Sequence, residues 1–121
     1  MKSPFWLFVS LIFLAAAQIT PAHTDFVRSE PADGATLKEA PNEIRIWFSE
    51  PIKVALSTFQ VRDAKGKQVD RGDLRADEKD PKLVRLSLSA DLQPGTYEVN
   101  WNAIAQDLHP AKGKFIFRIV P

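Results

Sequence analysis

Pro94-Gly95-Thr96-Tyr97-Glu98-Val99-Asn100-Trp101 decides the fold class. Tyr97, Val99 and Trp101 alternate with Glu98 and Asn100, so an extended chain turns one apolar and one polar face. Pro94-Gly95 ahead of it is turn chemistry. The same period of two recurs outward along the chain. Ile44, Ile46 and Phe48 alternate with Arg45 and Trp47, Val84, Leu86 and Leu88 with Arg85 and Ser87, and Phe115, Phe117 and Ile119 with Ile116 and Arg118. A short opening strand is expected over 24–28. Between Val54-Leu56 and Phe59-Val61 the phase slips by one residue, which predicts a bulge or a change of sheet. All five glycines are expected in turns between these runs. About seven short strands and no sustained 3.6-residue period give an all-β fold. The expected form is an immunoglobulin-like antiparallel β-sandwich or Greek-key barrel. Phe26, Trp47, Phe48, Phe59, Trp101, Phe115 and Phe117 are its expected aromatic filling.

The 121 residues suit one domain, and 16 Lys+Arg against 15 Asp+Glu offer no basic footprint for nucleic acid. The charged segment 71–82 reads as a solvated loop. With no Cys, disulfides, thiolate zinc sites, iron–sulfur clusters and blue-copper centres are all excluded.

Residues 1–22 read as a cleaved secretory signal: Lys2, an apolar run through Leu14-Ala15-Ala16-Ala17, and the small-residue site Thr20-Pro21-Ala22. That run is shorter than the ~20 residues of a spanning helix. Residues 23–121 are therefore expected as one exported domain, periplasmic and not integral to the membrane after processing. Removing 22 of 121 residues leaves 99, with neither Met nor Cys and hence no soft sulfur ligand.

Two histidines remain. Processing after Ala22 makes His23 the first residue, able to grip a metal through its α-amine and its imidazole. The amine has an ordinary pKa near 8, so a metal displaces its proton cheaply at neutral pH. Asp107 and His109 are one residue apart, so an extended segment projects both to one side. Three nitrogens and one oxygen suit tetragonal Cu(II). Two plainer readings stay open. An N-terminal His can be an accident of cleavage, and Asp-x-His-Pro can be only a turn.

The 99 residues resemble the CopC copper-resistance family of exported Cu(II)-binding proteins. The resemblance rests on His23, Ser29-Glu30-Pro31-Ala32-Asp33-Gly34, Ala40-Pro41, Ile46-Trp47-Phe48-Ser49-Glu50-Pro51, the Pro94–Trp101 stretch, and Asp107-Leu108-His109-Pro110 followed by Gly113-Lys114-Phe115-Ile116-Phe117. It implies one Cu(II) per chain, bound by the His23 amine and ring with Asp107 and His109 completing the plane. It also implies that Glu50 contacts the amine or the metal. The missing Met excludes the Met-rich Cu(I) site of some members. Gln106 stands where Ser is common, and Leu108 adds bulk.

The leading expectation is a periplasmic Cu(II) carrier or buffer in copper resistance and homeostasis, monomeric and not an enzyme. By family analogy it passes copper to a CopD-like inner-membrane transporter. A histidine-brace copper oxidative enzyme is the first alternative, disfavoured because the Asp107 charge favours Cu(II) over Cu(I). A non-metal immunoglobulin-like interaction module is the second.

Overall fold

A computed structural model describes residues 24–121, so the segment 1–22 read as a leader and His23 lie outside the described residues. The eight strands are β1 (Phe26–Glu30), β2 (Thr36–Leu37), β3 (Glu43–Phe48), β4 (Thr58–Asp63), β5 (Arg75–Ala76), β6 (Leu83–Ser87), β7 (Gly95–Ile104) and β8 (Pro110–Ile119). They form two four-stranded sheets, ordered β1-β3-β6-β5 and β2-β8-β7-β4. All pairings are antiparallel except the short β2–β8 contact. The expected all-β sandwich is the observed fold. Among the described residues the strand count is eight: β2 and β5, two residues each, are too short to show a period, and the Val54–Leu56 segment is not a strand.

The alternating residues meet between the sheets. Ile44, Ile46 and Phe48 from one sheet pack against Val61, Val99, Phe115 and Phe117 from the other, all nearly or wholly buried. Tyr97 stacks on Phe117 at 5.3 Å between ring centroids. Around Trp101 gather Phe26, Phe48, Phe59 and Phe115. Two of the expected aromatic fillers behave otherwise. Trp47 is half-buried on the outer face, with the Arg28 guanidinium 3.7 Å above its ring. Phe26 remains 41% exposed on the edge strand. The phase slip after Val54 proves to be a single 3-10 turn over Val54–Leu56 rather than a change of sheet. Gly113 is no turn glycine. It lies inside β8, where an added Cβ would stand 2.3 Å from Cζ2 of Trp101.

The outer face of the first sheet carries a charge problem and its solution. Arg45, Arg85 and Arg75 stand directly opposite one another across β3, β6 and β5. Like charges in that register repel. Glu43 takes Arg45 Nε at 2.8 Å, Arg75 Nη2 at 3.5 Å, and Arg85 Nη1. Asp77 holds Arg85 Nε at 2.8 Å. Burial works to raise the Glu43 pKa, but the hydrogen bonds and charges of Arg45 and Arg85 outweigh it, so the carboxyl titrates below its ordinary value. The Arg85 hydrogen bond lowers Asp77 likewise.

A carboxylate depressed in the folded state contributes stability above its unfolded pKa and loses it as pH falls through the folded one. Glu43→Gln is therefore expected to lower stability at pH 7 by roughly 1–2 kcal/mol. As the pH falls through the depressed pKa of the folded carboxyl, below the ordinary carboxylate range, the two melting curves should converge. Thermal melts over a series from pH 7 down into the acid range check this, and a gap that does not narrow with falling pH would refute it.

Candidate metal centre

β7 and β8, ten residues each, form a hairpin joined by the loop from Ala105 to His109. Leu108 N–H donates to the Ala105 carbonyl at 2.9 Å, and Ala105 N–H donates to the His109 carbonyl at 3.0 Å. Leu108 completes the turn at φ 70°, a left-handed position where Gly is usual in such hairpins. Holding a branched residue there costs about 1–3 kcal/mol, and such strain gathers at functional sites. The segment is a tight turn rather than the extended chain that the spacing suggested. The turn nevertheless folds Asp107 back onto His109. Oδ2 of Asp107 lies 2.9 Å from His109 Nδ1, and Oδ1 accepts the His109 backbone N–H at 3.1 Å.

The hydrogen bond from His109 holds the Asp107 carboxyl below its ordinary pKa. Assigned from that bond, the imidazole proton sits on Nδ1 and the lone pair on Nε2. A carboxylate behind a His ring is how many metal-binding histidines are oriented. Both residues are reachable by solvent, with side-chain exposures of 61% for His109 and 29% for Asp107.

Ser49-Glu50-Pro51-Ile52 connects this loop to the start of the described chain. Ile52 pairs with Ala105, and Gln106 Nε2 donates to the Pro51 carbonyl at 3.5 Å. At the other end, Ser49 N–H donates to the Asp25 carbonyl at 2.8 Å, while Asp25 N–H donates to Ser49 Oγ at 2.8 Å. The chain at Thr24-Asp25 and the Asp107–His109 pair thus lie at one end of the sandwich, separated by a four-residue strut. Glu50 is in that strut and exposed.

Of the residues singled out from sequence, Asp107 and His109 are in contact. Glu50 lies between them and the N-terminal entry, and His23 falls outside the described residues. Among the described residues no three of His, Cys, Asp and Glu cluster closely enough to hold a metal. Asp107 and His109 supply two donors of suitable chemistry, and a four-donor site needs others from elsewhere. Sequence reasoning missed Ser49, whose bonds span 24 positions and leave no local signal. It also misassigned Gly113, although the β7–β8 hairpin register places it opposite Trp101.

The CopC domain family model matches residues 26–120. "Copper transport protein CutJ" of Bacillus subtilis (strain 168) is 30% identical over 120 residues, covering 98% of this chain. The chain spans only 22% of the length of that relative. "Protein YobA" of Escherichia coli (strain K12) is 29% identical over 113 residues, covering 91% of each. The solved structure of PcoC, a methionine-rich copper resistance protein from Escherichia coli, superposes with a TM-score of 0.70 at 28% identity. That superposition covers 81% of this chain and 99% of PcoC. Among the described residues no helix is long and apolar enough to cross a membrane.

Proposed function

The chain belongs to the CopC domain family, and on that premise we propose that it is an exported protein that carries or buffers Cu(II) in the periplasm, with no catalytic centre of its own. Cleavage of residues 1–22 exposes the His23 α-amine. The amine and ring of His23, Asp107 and His109 then bind one Cu(II) per chain, with Glu50 beside the amine or the metal.

The observation that carries this reading is the Asp107–His109 pair, joined by the 49–52 strut to the point where the chain enters at Thr24. An ionised carboxylate has about four lone-pair directions, so Asp107 can hold the His109 ring and still offer an oxygen to copper. The donor set is nitrogen and oxygen only, because no Met or Cys follows Met1. Such donors hold copper as Cu(II) and leave no thioether site for Cu(I). In this the chain departs from PcoC, whose structure is described as methionine-rich.

The relative CutJ is named for copper transport, and a region like this chain occupies about a fifth of it. That arrangement supports a physical partner for this chain. We assign that role to a CopD-like inner-membrane transporter, met by a monomeric carrier.

Titration of correctly processed protein should reach one Cu(II) per chain, with nitrogen hyperfine splitting in the electron paramagnetic resonance spectrum. His109→Ala should lose one equatorial nitrogen and weaken binding roughly 100-fold, at the upper end of effects seen around metal sites. Circular dichroism should be unchanged, because His109 is exposed. A wild-type protein that binds no copper, or a His109→Ala variant with an unchanged spectrum, would sink the assignment.

A further inference from the structure

We propose that Phe26 is a positioning residue for the copper site, acting as a clasp that fixes the entering chain against Trp101. The proposal rests on the carrier reading above and names a part of the site outside its ligand set.

β1 is an edge strand, paired among the described residues with β3 alone. Its pairing with β3 shifts register between Phe26 and Arg28, leaving Val27 as the extra residue of a bulge. Ser29 points into the core, so strict alternation would aim Phe26 outward. The bulge reverses that phase, as bulges do where a side chain must be re-aimed. Phe26 consequently turns inward and stacks on Trp101 at 5.5 Å and 19°, with Phe115 at 6.3 Å. Thr24, two residues upstream on the same side, is only 4% exposed.

Trp101 can take part because Gly113 has no side chain. The indole lies so close to the β8 backbone that any Cβ would overlap it. Phe59 also stacks on Trp101, at 6.1 Å and 14°, so the indole carries two stacked rings. Ser49 adds its two hydrogen bonds to Asp25. The Phe26 stack and the Ser49 bonds act on the three residues Thr24 to Phe26.

A clasp at this place has a particular consequence. The residue joined to Thr24 is one peptide step, about 3.8 Å, from a buried residue and two steps from Asp25, whose backbone Ser49 holds twice. A ligand on that residue therefore needs little further ordering when copper arrives. Without the clasp, the backbone entropy of each loosened residue must be lost at binding, about tenfold in affinity per residue. Phe26 does not belong to the main core cluster, so its loss leaves the packed interior in place.

The experiment compares Phe26→Ala, Phe26→Leu and Phe26→Trp with the processed wild type. Hydrogen exchange of the apo proteins should show faster exchange at the Thr24–Phe26 amides in Phe26→Ala. Cu(II) competition titration should show affinity lowered about tenfold or more, with a broadened or shifted paramagnetic resonance spectrum. Phe26→Trp, which restores a stacking ring, should recover both. Phe26→Leu keeps apolar volume without the stack, should behave like Phe26→Ala, and replaces it if Phe26→Ala fails to fold. Unchanged exchange and affinity in Phe26→Ala or Phe26→Leu, beside a wild type that binds, overturns the clasp alone. A wild type that binds no Cu(II) overturns the carrier reading and the clasp together.

Discussion

Adding one residue ahead of His23 is expected to lower Cu(II) affinity by roughly 10²–10⁴-fold, the range by which joining two contacts exceeds either alone. In the carrier reading, the amine and the imidazole of one residue close a chelate ring. A preceding residue turns the amine into an amide, which is a poor donor at neutral pH. It removes half of the chelate while leaving the ring, Asp107 and His109 untouched. The folded domain should be indifferent, because the addition precedes β1, the first of the described strands. The same logic fixes the sign of the pH dependence. The amine must lose a proton to bind, so wild-type affinity rises with pH up to about 8 and then levels. The extended protein should lack the share of that rise that belongs to the His23 amine, above the range where imidazoles titrate. Mass spectrometry confirms the N-terminus, and competition titration at several pH values gives the result. Equal affinity in the two proteins would remove the amine from the site. It would favour a non-metal module if both were also weak.

The second large effect concerns stability alone. Phe117 is fully buried and stacked on Tyr97, opposite it in the β7–β8 register. Phe117→Ala removes most of a large aromatic side chain from a packed interior, at a cost of about 3–5 kcal/mol. For a domain of this size each kcal/mol moves the melting temperature by about 4–8 °C, so a fall of at least about 12 °C is expected. Total stabilities of about 5–15 kcal/mol leave the variant folded but marginal. Tyr97 is seven strand residues from Ile104, roughly 24 Å at 3.4 Å per residue. Copper affinity of the folded variant at 25 °C should therefore equal that of the wild type. Calorimetry and copper titration on one preparation test both halves. A large loss of affinity would mean that the two ends of the sandwich are coupled.

These predictions divide along a line visible in the residues themselves. Ile44, Ile46, Phe48, Val99, Phe115 and Phe117 were legible as core because a strand buries every second side chain, and that period is local. The same rule explains the misreading of Trp47. Its position between Ile46 and Phe48 assigns it to the outer face, and only the assumption that aromatics fill cores put it inside. Phe26 was expected inside for its aromaticity alone, whereas strict alternation with Ser29 would have put it outside. A bulge reverses its phase, and no feature of Phe26-Val27-Arg28 alone announces a register shift against Phe48 and Trp47. Leu108 is similar. The left-handed backbone that folds Asp107 onto His109 is a property of the closed hairpin, and Leu is a residue that normally avoids it.

The sequence by itself determined the class of the fold, the absence of sulfur donors after Met1, and the pairing of Asp107 with His109 as candidate ligands. Each of these depends on composition or on neighbours within a few positions. Tertiary structure alone decided that Asp107 grips the His109 ring, that Ser49 ties residue 25 to the strut beside that loop, and that Gly113 makes room for the stack beneath the entering chain. The latter two arrangements join residues far apart in the chain, across distances that only strand pairing sets. The Asp107–His109 contact is short in sequence, but it requires the turn that β7 and β8 close.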